Sequence, residues 1–349
     1  MAESIPLHWI EDPQQMDRLG RPLRDLRISV IDRCNFRCPY CMPEERYPRD
    51  ERFLDAAQRL TPAEIEILAR AFVALGVDKL RLTGGEPLLR RDLAQIVERL
   101  ARIDGVRDLA LTTNGSLLES QAATLRAAGL RRITISLDAL DPQRFAQLSG
   151  GRGDLHAVLR GIAAAERAGF SPLKINAVIM RGANEAEVLP LVARFRASGH
   201  VLRFIEYMDV GTCNRWQSSQ VVPSAELVAR IAARWPIHPL DRAYRGEVAE
   251  RWAFDDGSGE IGFVSSVSTP FCGDCHRARL SADGKLFTCL FAAHGSDLRG
   301  PLRAGEDSAT LAARIATLWR GRADRYSEQR AGLPAPAAPA RVEMFRIGG

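Results

Sequence analysis

The feature that most constrains this chain is the alternation of strand-like and helix-like segments through its first two thirds. Short apolar, β-branched runs occur at 26–32 (LRISVID), 79–83 (KLRLT), 108–113 (DLALTT), 132–138 (RITISLD), 173–180 (LKINAVIM) and 201–208 (VLRFIEYM). Helical stretches lie between them. The clearest begins at Thr61, where Thr61, Pro62 and Glu64 offer an N-cap, a first-turn proline and a capping-box acid ahead of apolar residues at helical spacing. Others are expected over 91–102, 118–128, 155–168 and 185–197. Such alternation implies right-handed βαβ units and a parallel sheet. Six units are too few to close an eight-stranded barrel, and periodicity alone allows either an open partial barrel or a doubly wound sheet. In both, chemistry collects at the C-terminal ends of the strands.

The pattern changes after about residue 240. EVAERWAF and GEIGFVSSV flank a DDGS turn, and RARLS and KLFTCLF flank ADG, so two hairpins are expected. A helix near 307–321 follows, then the Pro/Ala stretch 332–340, which suits a semi-rigid spacer, and a tail ending FRIGG. The implied organisation is an N-terminal segment (1–20), a barrel-like unit (21–240), a smaller unit (241–331) and a spacer with tail (332–349). With 46% apolar and 26% charged residues, the chain has an ordinary globular composition. No window approaches the ~20 apolar residues that span a bilayer. The first residues lack the basic and apolar regions of a secretory signal, so a cytoplasmic location and free thiols are expected. A net charge of +5 suits an anionic substrate, nucleic acid, or neither.

Cys34, Cys38 and Cys41 form C-x3-C-x2-C directly after the first strand. Three thiolates can hold three irons of a cubane cluster and leave the fourth open to an external chelator, such as the amino and carboxylate groups of S-adenosylmethionine. Structural zinc prefers four protein ligands and C-x2-C pairs, and the next cysteine is Cys213. The segment RCNFRCPYCMPEE resembles the signature of the radical S-adenosylmethionine superfamily. LRISVIDRCNFRCPYCMP, RLTGGEPLLR and the FRIGG tail together resemble the GTP 3′,8-cyclase family of molybdenum cofactor biosynthesis, over nearly the whole chain from Leu23 to Gly349. This resemblance implies an α/β fold, a partial (β/α)6 TIM-type barrel with a smaller C-terminal α+β domain.

Several strand ends fit that resemblance. Tyr40 corresponds to an aromatic residue beside the adenine. Gly85 lies in a Gly-Gly-Glu-Pro turn where a ligand amino group can approach backbone carbonyls. Asn114 and Ser136, with Asp138, offer polar groups, and Met208 offers a soft surface for adenine. Singly, each reads better as a turn glycine, a cap or a core residue. Together, at consecutive strand ends, they read as a cofactor site.

A second trio, Cys272, Cys275 and Cys289, has the spacing C-x2-C-x13-C, with the third cysteine brought back by a hairpin. Spacing alone leaves zinc open, with Cys213, His276 or His294 as a fourth ligand. The resemblance implies a second [4Fe-4S] cluster whose free iron faces guanine. Arg27, Arg81 and Lys174 lie inside predicted strands, where a cation is costly unless paired, so they point to an anionic ligand; Arg203 is a weaker case. Arg277 and Arg279 alternate on one strand face. The resemblance carries GTP binding onto Arg27, Arg81, Thr112, Lys174, Arg277 and Arg279. It carries a catalytic role onto Arg277, Arg279 and a terminal Gly348-Gly349 that reaches the active site.

The expected reaction is conversion of GTP to (8S)-3′,8-cyclo-7,8-dihydroguanosine 5′-triphosphate. Its cofactors are two [4Fe-4S] clusters and S-adenosylmethionine. A low-potential electron donor and a downstream cyclic pyranopterin monophosphate synthase are the expected partners. Neither membrane nor nucleic acid is expected, and a homodimer is left open. Two other readings remain at this point. One is a peptide-maturing radical enzyme, which ordinarily carries more C-terminal cysteines. The other is a basic zinc protein that binds nucleic acid, against which aromatics are only 7% and not interleaved with Lys and Arg.

Overall fold

The computed structural model describes residues 15–330 and 341–348. The helix expected at Thr61 spans Pro62–Val73. The Thr61 hydroxyl accepts from Glu64 N at 3.2 Å and the Glu64 carboxylate accepts from Thr61 N at 2.7 Å, so both halves of the capping box close. Two other helical stretches are each divided. The first becomes a 3-10 turn at Leu118–Ser120 and a helix at Ala122–Ala127, the second a 3-10 turn at Glu185–Glu187 and a helix at Val188–Phe195.

Six strands alternate with these helices: β1 (Asp25–Ser29), β2 (Lys79–Thr83), β3 (Asp108–Thr113), β4 (Arg132–Ser136), β5 (Lys174–Ile179) and β6 (Val201–Glu206). They pair in parallel and in chain order. A doubly wound sheet would reverse its order at a switch point. The unbroken order therefore selects the single-wound partial barrel that periodicity had left open.

The remaining strands are β7 (Ile237–Leu240), β8 (Glu250–Phe254), β9 (Glu260–Val264), β10 (Arg277–Leu280), β11 (Lys285–Phe287) and β12 (Ser296–Asp297). They build no sheet of their own. β9 joins β6 and β10 joins β1, both in parallel, giving one sheet in the order 12-11-10-1-2-3-4-5-6-9-8-7. The two expected hairpins thus widen the barrel at both edges. β7 contains Pro239, which a central strand would not tolerate, and it lies at the sheet edge.

Burial alternates along β5 and β6. Ile175, Ala177, Ile179, Leu202 and Phe204 are buried under the helices, whereas Lys174, Asn176, Arg203 and Ile205 stay partly exposed on the other face. At the end of β6 the carboxylate of Glu206 is wholly buried. It accepts from the backbone amides of Ser224, Val267 and Ser268, each at 2.8 Å. It thereby caps helix Ser224–Ala232 and ties the turn after β9 to the barrel.

Candidate active site

The partly exposed strand faces enclose one large cavity. Its lining includes Arg27, Arg81, Thr112, Asn176, Arg203 and Met208 from the barrel, and Arg277, Arg279 and all three C-terminal cysteines. Strand register puts the cations in a row. Arg27 pairs with Arg279 on one side and Arg81 on the other, and Asp25 lies between Arg277 and Lys79. The row is poorly neutralised. Burial would raise the Asp25 carboxyl, but Lys79, Arg27, Arg81 and Arg277 outweigh it and hold this group well below the carboxylate range. Burial, then Arg279, Arg277 and Arg81, lower the Arg27 guanidinium. Among the described residues Arg81 donates to two hydroxyls, Thr112 Oγ1 at 3.0 Å and Thr134 Oγ1 at 3.1 Å. Among the described residues, Arg27 Nε, Arg203 Nε and Asn176 Oδ1 are buried without a hydrogen-bond partner. Polar atoms in that state are costly, and an anionic, hydrogen-bonding ligand would relieve them.

Lys174 is not among the lining residues. Burial, then Arg203, Arg132, Arg81 and Lys79, depress its ammonium to about 6. The folded chain thus binds fewer protons here than the unfolded chain between about pH 6 and the ordinary 10.5, and this group's contribution to stability grows as pH rises across that window. A polyphosphate bound beside this amine would reverse the balance by recharging it. Calorimetry of GTP binding at about pH 7.5, in buffers of different ionisation enthalpy, should show uptake of up to about one proton per nucleotide, absent in Lys174→Met. Equal uptake by both proteins would remove Lys174 from phosphate binding.

The first cysteine trio follows β1. Cys41 N donates to Cys38 O at 3.0 Å, closing a turn that brings the thiols near one another, and Phe36 N donates to Cys34 Sγ at 3.4 Å. Burial is the main influence on all three: it raises Cys34 to about 12 and lifts Cys38 and Cys41 well above the ordinary thiol value. The Gly84-Gly85 turn presses on this loop. A side chain at Gly85 would overlap the carbonyl of Arg33, so the protein's own backbone already requires glycine there. The next residue, Glu86, is fully buried and pushed up to about 7 by burial. It accepts from Leu88 N, Thr113 Oγ1 and Asn114 N. Asn114 donates to Asn35 Oδ1 at 2.9 Å, so the third strand end is bonded to the cysteine loop. Tyr40 donates to Asp138 at 2.6 Å, and both reach the end of β4, where Ser136 is half-buried. Tyr40 and Met208 line one small recess.

The second trio lines the cavity. Arg21 donates to the Cys272 carbonyl at 2.7 Å and Arg322 to the Cys275 carbonyl at 2.6 Å. Burial would raise the Cys275 thiol, but Arg277 and Arg322 outweigh it and hold it at about 6, so it is largely a thiolate at neutral pH. Cys213 does not join this trio; its thiol donates to Glu343 at 3.0 Å. Among the described residues no three Cys, His, Asp or Glu side chains gather closely enough to share a single ion. A cubane needs thiolates at separate corners, and three thiols each, with a cationic surround for the second set, fit such clusters.

At the chain's end, Met344–Ile347 form a helical turn, and Arg279 donates to the carbonyls of Ile347 and Gly348. Gly348 has φ +72°, and a side chain there would overlap Thr83. Gly349 and the stretch 332–340 lie outside the described residues. Sequence reasoning did not single out Lys79, Thr134 or Asn176. The last was accessible through its i+2 spacing from Lys174.

Residues 28–195 match the family model of the radical SAM superfamily, and residues 200–328 match that of molybdenum cofactor synthesis C. The solved structure of Streptococcus suis SuiB bound to S-adenosylmethionine shares the fold, with a TM-score of 0.56 at 15% identity, covering 90% of this chain and 69% of that one. The radical SAM match, together with the relatives that follow, places the chain among the radical S-adenosylmethionine proteins. The GTP 3′,8-cyclase of Xanthomonas campestris pv. campestris strain B100 is 63% identical over 95% of this chain and 97% of its own. That of Acidothermus cellulolyticus is 55% identical over 95% and 98%, and that of Synechococcus sp. CC9605 is 46% identical over the full length of both. The chain belongs to the GTP 3′,8-cyclase family.

Proposed function

We propose that this chain converts GTP to (8S)-3′,8-cyclo-7,8-dihydroguanosine 5′-triphosphate, as the radical S-adenosylmethionine lyase that opens molybdenum cofactor biosynthesis. The observation that carries this reading is the under-neutralised row of cations on adjacent strands, sharing one cavity with Cys272, Cys275 and Cys289. In this reading Cys34, Cys38 and Cys41 hold one [4Fe-4S] cluster and the second trio holds another. Tyr40, Gly85, Asn114, Ser136 and Met208 form the S-adenosylmethionine site. Residues 21–240 act as the barrel unit, 241–331 as the second-cluster unit and 332–349 as spacer and tail.

Cys34, Cys38 and Cys41 would hold the first cluster, which with S-adenosylmethionine would supply the one-electron chemistry needed to activate the ribose C3′–H bond. The protein's own task is position and charge. Arg27 and Arg81 neutralise the triphosphate from the cavity wall, Lys174 adds charge from outside the lining, and Thr112 directs one of its oxygens through the shared Arg81 contact. Arg277 and Arg279 hold the guanine end beside the second trio. The ribose C3′ and guanine C8 must be kept within about 3.5 Å for ring closure, which a cavity with fixed guanidiniums favours over free diffusion. Gly348 completes the wall at Arg279 and keeps water out; Gly349, which lies outside the described residues, belongs to the catalytic tail in this reading. The reading includes a cytoplasmic site of action, a low-potential electron donor, and delivery of product to a cyclic pyranopterin monophosphate synthase. Among the described residues no helix is long and apolar enough to cross a membrane.

The test is anaerobic reconstitution, then incubation with dithionite, S-adenosylmethionine and GTP. Release of 5′-deoxyadenosine should depend on GTP and not on ATP. Equal release with either nucleotide, or with a peptide in place of both, would sink the assignment.

A further inference from the structure

The loop after β6 holds the C-terminal tail at two points. The first is Asp209. Its Oδ1 accepts from Arg330 Nε at 2.8 Å, and its Oδ2 and backbone carbonyl accept from Arg341 Nη1 at 3.0 and 2.8 Å. The Tyr326 hydroxyl donates to Oδ2 and itself accepts from Arg341 Nη2 at 2.6 Å. Tyr326 stacks on Phe291 with ring centroids 4.4 Å apart, and the Arg341 guanidinium lies over the Tyr326 ring at 4.2 Å. One carboxylate therefore binds the arginines at 330 and 341 together. All three side chains are largely shielded, at 11% exposure for each arginine and 14% for Asp209, where charge-assisted bonds resist screening.

The second point is Glu343. Its Oε1 accepts from Thr212 N at 3.0 Å and Thr212 Oγ1 at 2.7 Å, and its Oε2 from the Cys213 thiol. Gly211 makes the approach possible, because a side chain there would overlap this carboxylate. Five residues beyond Glu343, the Gly348 carbonyl meets Arg279. Between them Phe345 packs edge-on against Tyr47 at 5.0 Å and Ile347 is wholly buried, so little slack remains between clamp and tip. Met208, directly before Asp209, shares its small recess with Met344 of the tail.

We propose that Asp209 and the Gly211-Thr212-Cys213 turn are positioning residues that set the register of the C-terminal tail, delivering Gly348 to Arg279. This rests on the reading above in which the tail completes the active site. Asp209 and Thr212 act through Arg341 and Glu343 and touch neither substrate nor cofactor in this role. Cys213 thereby acquires a task, as hydrogen donor to the tail.

The test uses full-length reconstituted protein carrying Asp209→Asn, Thr212→Val, Arg341→Gln, or Asp209→Asn with Arg341→Gln. Asp209→Asn should lower kcat by roughly 10- to 100-fold, as misplacement of a catalytic wall by about 1 Å does, with KM for GTP and iron content unchanged. Trypsin should cut after Arg346 several-fold faster in each variant, read by mass spectrometry in the absence of cofactors. The double variant should be no worse than the worse single variant, because both changes break one link. Unchanged tryptic cutting and kcat in both Asp209→Asn and Thr212→Val would overturn the clamp. A variant lacking residues 348–349 separates the two readings. If it is as active as the parent, the tail's role in the site fails. If it is inactive while the clamp variants are fully active, the clamp alone fails. Should Asp209→Asn fold poorly, Arg341→Gln reads the same link from the tail side.

Discussion

Replacement of Arg27 by methionine is expected to stabilise the ligand-free protein while removing most of its affinity for GTP. The two effects share one cause. Arg27 sits between Arg279 and Arg81 in strand register, with Arg277 also near, and its Nε has no hydrogen-bond partner among the described residues. Asp25 is the carboxylate that eases this crowding, and it is shared with Lys79 at 3.1 Å. Exchanging an under-paired buried ion for an apolar side chain is commonly neutral or favourable by about 1 kcal/mol or more. In a chain of this length that shifts the melting temperature upward by about 2 °C. Removing one member of a desolvated charge pair from a binding site costs about 2–5 kcal/mol, so GTP affinity should fall by roughly 30-fold or more. Calorimetric melting and nucleotide titration on the same preparation measure both. A variant that melts lower and binds GTP normally would show that the cation row is structural.

Replacement of Cys275 by alanine is expected to halve the iron content while leaving the first cysteine loop loaded. Reconstituted protein should hold about eight irons and the variant about four, if each trio carries one cubane. Cys275 is the most consequential choice in its trio. Arg277 and Arg322 overcome burial and keep it at about 6, so it presents a thiolate where the buried thiols of Cys34, Cys38 and Cys41 are raised. Product formation should fall by about three orders of magnitude, since the affected wall borders the cation row. Iron analysis, sulfide analysis and low-temperature electron paramagnetic resonance provide the check. Zinc in place of iron at this trio, or undiminished iron in the variant, would refute a second cluster.

Much of this architecture was legible before any coordinates. The six parallel strands were visible as short apolar, β-branched runs separated by helical stretches, because strands covered by helices bury most of their side chains. The capping box at Thr61 was visible because its donors and acceptors are three residues apart. Both cysteine trios were visible through local spacing. β7 was hidden because Pro239 argues against a strand, and only its place at the sheet edge removes the conflict.

What the chain's order of residues determined by itself is therefore what depends on near neighbours: periodicity, caps and turns. The folded molecule alone decided what depends on distant partners. It placed β9 and β10 on opposite sides of the six barrel strands, set Arg279, Arg27 and Arg81 side by side, and turned Asp209 and Thr212 of the loop after β6 into anchors for Arg341 and Glu343 of a tail more than a hundred residues away in the chain. Charge repulsion and hydrogen bonding act over a few ångströms of space, and no spacing rule along the backbone reports which cations will be brought within that range.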